Sequence, residues 1–179
     1  MLVVLGNEAV DLDSAVSSIT LAYHLNKEKN SKIIPVAKRG NEFLVVPVIN
    51  ATQQDVPLKT EVTYWLKKHQ IDLQNLICRD EINLKDEVDS FVLVDHHVSE
   101  FHEQVVSVLD HRPFDDNSNL KTDCFTDIQE VGSCATLVAN TIQNDVTEET
   151  LNCDYDNVLK LCYGPIVLDT INFSEAADK

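Results

Sequence analysis

The sequence predicts an α/β fold, an open and mainly parallel sheet with helices on both faces. Short apolar runs rich in Val, Ile and Leu alternate with helix-like patterns along the chain, as in sheets built from βα units. The runs are continuous rather than alternating, the mark of strands buried on both faces. Acidic and His-bearing clusters follow directly on several of them, where such a sheet has its crevice.

Strands are expected at Leu2–Leu5, Ile33–Val36, Phe43–Ile49, Leu76–Cys78, Phe91–Val94 and Val105–Leu109. Helices are expected at Ser14–Asn26, Leu58–His69, Ser133–Gln143 and Asp156–Leu168. The first helix follows its strand through a Gly-containing turn; Asp13 or Ser14 caps it, and Val16, Ile19, Leu21 and Leu25 turn partly inward. The runs IIPV and FLVVPVIN each carry a Pro-Val pair around the basic, Gly-containing segment AKRGNE. Proline lacks a ladder donor, so an edge strand or an insertion is expected there. The polar, turn-rich stretch from Arg112 to Asp127 reads as a surface loop.

A chain of 179 residues is sized for one domain with a substantial core. Its 30 acidic and 14 basic side chains give a formal charge of −16, which argues against nucleic acid or an anionic membrane as partner. A polyanionic substrate would fit only if bound cations reversed the local field. The five cysteines are scattered and form no C-x-x-C pair, so a reducing, cytoplasmic setting is expected rather than a disulfide framework. No run approaches the length of a membrane span.

The chemistry concentrates in LVVLGNEAVDLDS, FVLVDHH, VSVLDHR and IVLDTINF. The first three end buried strands, so Asp11, Asp13, Asp95, His96, His97, Asp110, His111 and Arg112 would meet at one crevice; the fourth places Asp169 after an apolar helical run. So many carboxylates in a desolvated crevice require protons or counter-cations. Carboxylate and imidazole without thiolate suit Mn²⁺, Mg²⁺, Fe²⁺ or Co²⁺, and two ions about 3.5–4 Å apart can activate water for phosphoryl displacement. Taken singly, Asp11 reads as a helix cap, and His24, His69 and His102 as surface or satisfied core residues. The run from Val131 to Thr136 opens a helix whose first amides would hold a phosphate oxygen, or which Ser133 simply caps. Cys134 has no neighbouring His and is a poor nucleophile.

Through GNEAVDLDS, LVDHH, LDHR with its following proline, and VLDT, in that order, the whole chain resembles the DHH phosphoesterase superfamily, in its prune and exopolyphosphatase branch. The resemblance implies a DHH-type domain carrying two Mn²⁺ or Mg²⁺ ions. Asp11 and Asp13 would each serve one ion, Asp95 would bridge both, and His111 with Asp169 would complete the second site. Asn7 stands where the related pyrophosphatases place a metal-binding His, and Arg112 replaces the second His of the name-giving motif, free to clamp a phosphate oxygen. His96 and His97 would orient the site or contact phosphate, and Asp110 would position His111. The implied activity is hydrolysis of short-chain polyphosphate or a related phosphoanhydride. The alternatives are a cyclic-nucleotide phosphodiesterase, or a non-catalytic module binding a protein such as a nucleoside diphosphate kinase. Members of this branch usually continue into a DHHA2-type second domain that contributes basic residues, and residues 1–179 are expected to be the first domain alone.

Overall fold

A computed structural model describes residues 1–39, 43–175 and 177. Its framework is a wholly parallel six-stranded sheet. The strands are β1 (Leu2–Leu5), β2 (Val45–Ile49), β3 (Ile77–Cys78), β4 (Ser90–Val94), β5 (Val105–Asp110) and β6 (Phe125–Ile128). The helices are α1 (Leu12–Lys27), α2 (Thr60–Lys68), α3 (Cys134–Asp145), α4 (Glu148–Asp154) and α5 (Asp156–Asp169). The spatial order is β3-β2-β1-β4-β5-β6. From β1 the chain winds outward to β2 and β3, then returns past β1 to β4 and winds the other way. Right-handed crossovers therefore cover opposite faces in the two halves, and the switch point lies between β1 and β4.

The two faces are covered differently. Leu2, Val4 and Val92 pack under Leu21 and Leu25 of α1 and Leu137 and Val138 of α3, while Ile49 meets Val16, Leu66 of α2 and Leu161 of α5. On the other face Val3, Leu5, Phe91 and Val108 lie under Leu84, Val88, Phe101 and Leu120, which belong to loops and single 3-10 turns. The crossovers cover both faces as expected, with α-helix on one and short 3-10 turns on the other.

Two departures from expectation come from proline. Ile33–Val36 is no strand: Ile33 and Ile34 are fully buried, but Ile34 N–H bonds back to Ser31, Pro35 offers no donor, and a 3-10 turn follows at Val36–Lys38. The segment plugs the amino end of β5, where Ser107 Oγ donates to Ile33 O at 2.5 Å. Residues 40, 41 and 42 of the basic segment lie outside the described residues. Pro47 does sit inside an internal strand, because β3 pairs only with Val48 and Ile49, so at Pro47 the strand has a neighbour on one side only.

The expected surface loop conceals β6, an edge strand in register with β5 from Ser107 to Asp110. The carboxyl-terminal helix is held by a reciprocal device. Pro165 leaves the carbonyl of Leu161 without its helical donor, and Trp65 Nε1 supplies one at 2.9 Å. Gly164 makes room for the indole, since a Cβ there would lie 2.3 Å from its ring. α2 thereby fixes the axis of α5, at whose end Asp169 sits.

Candidate metal centre

Each half of the switch point delivers its acidic residues through a tight turn. After β1, Gly6 passes so close to α1 that a Cβ would meet Ser14 Oγ at 2.2 Å. Asp11, rather than Asp13 or Ser14, is the N-cap of α1, its Oδ1 accepting from Ser14 N–H at 2.9 Å. This capping leaves Asp13 in the first turn, buried at 3% exposure. After β4 the backbone bends sharply at Asp95, which adopts φ 61°, a left-handed value that Asp tolerates better than most side chains.

Asp95 is fully buried and is the hub. Its Oδ1 receives Arg112 Nη1 at 2.6 Å and faces His111 Nε2 at 3.1 Å; its Oδ2 receives Asn7 Nδ2 at 2.6 Å. The orientation of Asn7 is set by its Oδ1, which accepts from Val10 N–H at 2.9 Å. In this conformation Asn7 presents nitrogen, not oxygen, to the cluster. His111 Nδ1 is held by the carbonyl of Val131 at 3.0 Å, which aims Nε2 at Asp95 and, at 3.8 Å, at Asp13.

Asp13 carries a further load. Its Oδ2 accepts from Cys134 N–H at 2.6 Å and its Oδ1 from Ala135 N–H at 2.8 Å. The first amides of α3 therefore hold neither a free anion nor the Ser133 side chain, which makes no cap bond, but a carboxylate from α1. Asp169 reaches the same place because Gly132 lets α5 approach, a Cβ there falling 2.4 Å from Thr170 Cγ2. Among the described residues its Oδ2 is buried without a well-formed hydrogen bond, as is the Ser133 hydroxyl, which nonetheless lies close enough to favour the charged carboxylate.

The remaining predicted residues separate. His97 is buried with both ring nitrogens engaged, Nδ1 on Asp110 Oδ2 at 2.5 Å and Nε2 accepting from Asp115 N–H at 2.7 Å. It clamps the loop after β5 rather than opening to the crevice. Asp110 holds that ring and the backbone N–H of His111 at 2.8 Å, so it fixes the His111 backbone while Val131 orients the ring. His96 bonds Val94 O through Nδ1 at 3.0 Å and lines a neighbouring cavity with Glu8 and Arg79. Cys134 is buried, donates Sγ–H to Leu109 O at 3.2 Å, and burial raises its pKa far above that of a reactive thiol. His24, expected as a satisfied core residue, bonds Tyr155 and Asp145 in the interior.

The electrostatics are those of a crowded anionic site. Burial, then Asp95 and Asp169, push Asp13 up to about 7. Burial and the charge of Asp95 raise Asp11, and burial, with Asp11 contributing, raises Asp169. His111 moves the other way in charge: its bond to Asp95 lifts it to about 9. Without a bound ion the cluster thus recruits protons, as close carboxylates must. Asp13, Asp95 and His111 each offer a ligand atom, all within 4.8 Å of one another. Hard oxygens with one imidazole, no thiolate in reach and an orphaned buried carboxylate oxygen on Asp169 fit a divalent cation.

Comparison with known proteins places this geometry in context. Residues 1–166 match the DHH family, N-terminal domain. The chain is 36% identical over 186 residues to exopolyphosphatase PRUNE1 of Rattus norvegicus, covering 99% of this chain and 37% of that protein. It is 36% identical to human exopolyphosphatase PRUNE1 over 179 residues, 95% of this chain and 36% of the other. A putative exopolyphosphatase of Schizosaccharomyces pombe is 30% identical over 182 residues, 93% and 44% of the two chains. The chain thus spans well under half the length of these relatives. In fold it is similar to the crystal structure of an exopolyphosphatase-related protein from Bacteroides fragilis, with TM-score 0.60, 14% identity and coverage of 99% of this chain and 48% of that one.

Proposed function

The chain belongs to the DHH family, and from that premise we propose that it is a metal-dependent phosphohydrolase acting on short-chain polyphosphate or a related phosphoanhydride. The observation that carries this is the convergence of Asp13, Asp95 and His111 ligand atoms beside Asp169, one of whose oxygens is buried without a well-formed hydrogen bond among the described residues. The names of its relatives, exopolyphosphatases, support the substrate class.

In this reading Asp11, Asp13, Asp95, His111 and Asp169 would together hold the Mn²⁺ or Mg²⁺ ions. Such ions supply a strong nucleophile from water at neutral pH and neutralise phosphoryl oxygens. The protein's own groups do the rest. Val131 and the Asp110 carboxylate fix His111 in ring and backbone. Asp13, tied to two α3 amides, is rigid. Arg112, about half exposed and beside Asp95, turns its guanidinium to a phosphate oxygen once the charge of Asp95 is otherwise met. A water oxygen forms the new bond to phosphorus, the bridging P–O bond opposite breaks, and the departing phosphate keeps the electron pair.

The test is phosphate release from tripolyphosphate, pyrophosphate and cyclic AMP in Mn²⁺ and in Mg²⁺, with Asp95→Asn as control. Asparagine suits the left-handed backbone, so the variant keeps its turn. Metal-dependent release from a phosphoanhydride that the variant lacks supports the proposal. Release from cyclic AMP alone moves the substrate class to phosphodiesters, and silence on all three despite measurable metal binding favours a protein-binding module.

A further inference from the structure

Two cavities open beside the cluster, over the carboxyl ends of the strands. One of about 460 Å³ is walled by Glu8, Asn50, Asp55, Lys59 and Arg79; the other, about 250 Å³, shares Glu8, Asn50 and Arg79 and is closed by His96, Glu100 and Phe101. Adjoining through those shared residues, they make a trench lined from His96, the residue after Asp95 in sequence, to residues that follow β1, β2 and β3. Neighbouring strands lie about 4.8 Å apart, so from β4 to β3 the trench runs about 14 Å. None of Asp11, Asp13, Asp95 and His111 lines it; at its β4 end stands His96, which follows Asp95 directly.

We propose that this trench is a subsite for the distal phosphoryl groups of a linear polyphosphate, with Arg79 as its main anion-binding side chain. The inference rests on the phosphohydrolase reading and names how the rest of the substrate lies. Arg79 is set on a rigid base, its N–H bonded to Ile49 O at 3.0 Å and Ala51 O at 3.2 Å. Its guanidinium meets one carboxylate, Glu8, at 3.4 Å, and that carboxylate is 77% exposed. Such a long, solvated pair contributes little, whereas a phosphate offers the guanidinium a bidentate, charge-assisted partner. Lys59, on the opposite wall, bonds the Ala9 carbonyl and makes no ion pair among the described residues, so its charge is also open to an anion. Asp55, the nearest acid on that wall, is held by Thr52 Oγ1 at 2.8 Å. A pyrophosphate bound at the cluster would not need to enter the trench; a third phosphoryl group would have to.

The experiment compares wild type, Arg79→Gln and Glu8→Gln. Hydrolysis of tripolyphosphate and pyrophosphate is measured as kcat and KM. Losing a charged hydrogen bond to phosphate lowers affinity by about tenfold or more, so Arg79→Gln is expected to lower the tripolyphosphate-to-pyrophosphate ratio of kcat/KM at least tenfold, mainly through KM. Glu8→Gln, which frees Arg79, is expected to raise that ratio, an effect no mere loss of structure would produce. Turnover by wild type with the ratio unmoved in both variants overturns the subsite and leaves the hydrolase reading standing. Absence of turnover overturns the hydrolase reading, and calorimetric binding of tripolyphosphate in Mg²⁺ then decides the subsite: binding weakened in Arg79→Gln supports it, and equal or absent binding overturns it.

Discussion

Asp13 is the residue at which the cost of the cluster should be measurable. In the metal-free fold it is held at about 7, against an ordinary 3.8. A carboxyl whose folded pKa is raised binds its proton more tightly in the native state than in the unfolded chain. Its ionisation therefore costs nothing below pH 4 and destabilises the fold progressively between about pH 4 and 7. Applying linkage to those two values gives a loss of about 2–3 kcal/mol between pH 5 and pH 8, or about 5–10 °C in Tm for a chain of this size. Asp13→Asn cannot ionise. It pays a fixed penalty, because one of the two α3 amides now faces an NH₂ group, but that penalty does not vary with pH. Urea unfolding in EDTA from pH 5 to pH 8 should show the wild type losing about 2–3 kcal/mol more than the variant. Saturating Mn²⁺ should abolish the difference in slope by stabilising the wild type at high pH, where the carboxylate is charged. Parallel pH profiles in EDTA would refute the crowding of Asp13 by Asp95 and Asp169.

Three other perturbations test separate parts of the construction. Trp65→Phe leaves the Leu161 carbonyl without its donor and should cost about 1–3 kcal/mol in urea unfolding; an unchanged midpoint would mean that the indole bond does not hold α5. Arg112→Gln removes the cation from Asp95 Oδ1. It should tighten metal binding in a fluorescence or calorimetric titration while raising substrate KM about ten- to hundredfold, and a fall in both affinities would deny the two roles assigned to Arg112. Gly132→Ala drives a Cβ into Thr170 and should destabilise by about 1–3 kcal/mol and weaken metal retention on dialysis. Adding Thr170→Ser, which removes the clashing methyl, should restore much of both, and failure of that rescue would place the strain elsewhere.

What the sequence revealed depended on whether the determining contact was local. Strands β1, β4 and β5 are mainly apolar and, but for half-buried Val106, buried, so composition sufficed, and Asp95 and Asp110 are legible because they stand where those runs stop. Ile33–Val36 has the same composition, yet Pro35 and the pull of Ser107 make it a buried plug. β6 has a polar sequence because only one of its edges pairs, which gives a strand little reason to look like one. For His97 the sequence shows only its neighbours, while the atoms that occupy it, on Asp110 and Asp115, come from the end of β5 and the loop beyond. The grip of Asp13 on α3 spans more than a hundred residues and has no local signal.

The fold has already spent its internal donors unequally across the cluster. Asp95 has Arg112, His111 and Asn7; Asp13 has two amides of α3; Asp11 has Ser14 N–H. Each of these bonds can persist or be exchanged as charge enters the crevice. Of these four carboxylates Asp169 alone has a buried oxygen without a hydrogen bond among the described residues, on a helix whose position is fixed by the Trp65 bond and the Gly132 contact. A protein that needed only a compact core would gain by replacing that carboxylate with an apolar group, since an unpaired buried oxygen is costly. Its retention, held rigidly against three other carboxylates, makes physical sense if the missing partner is a cation from solution.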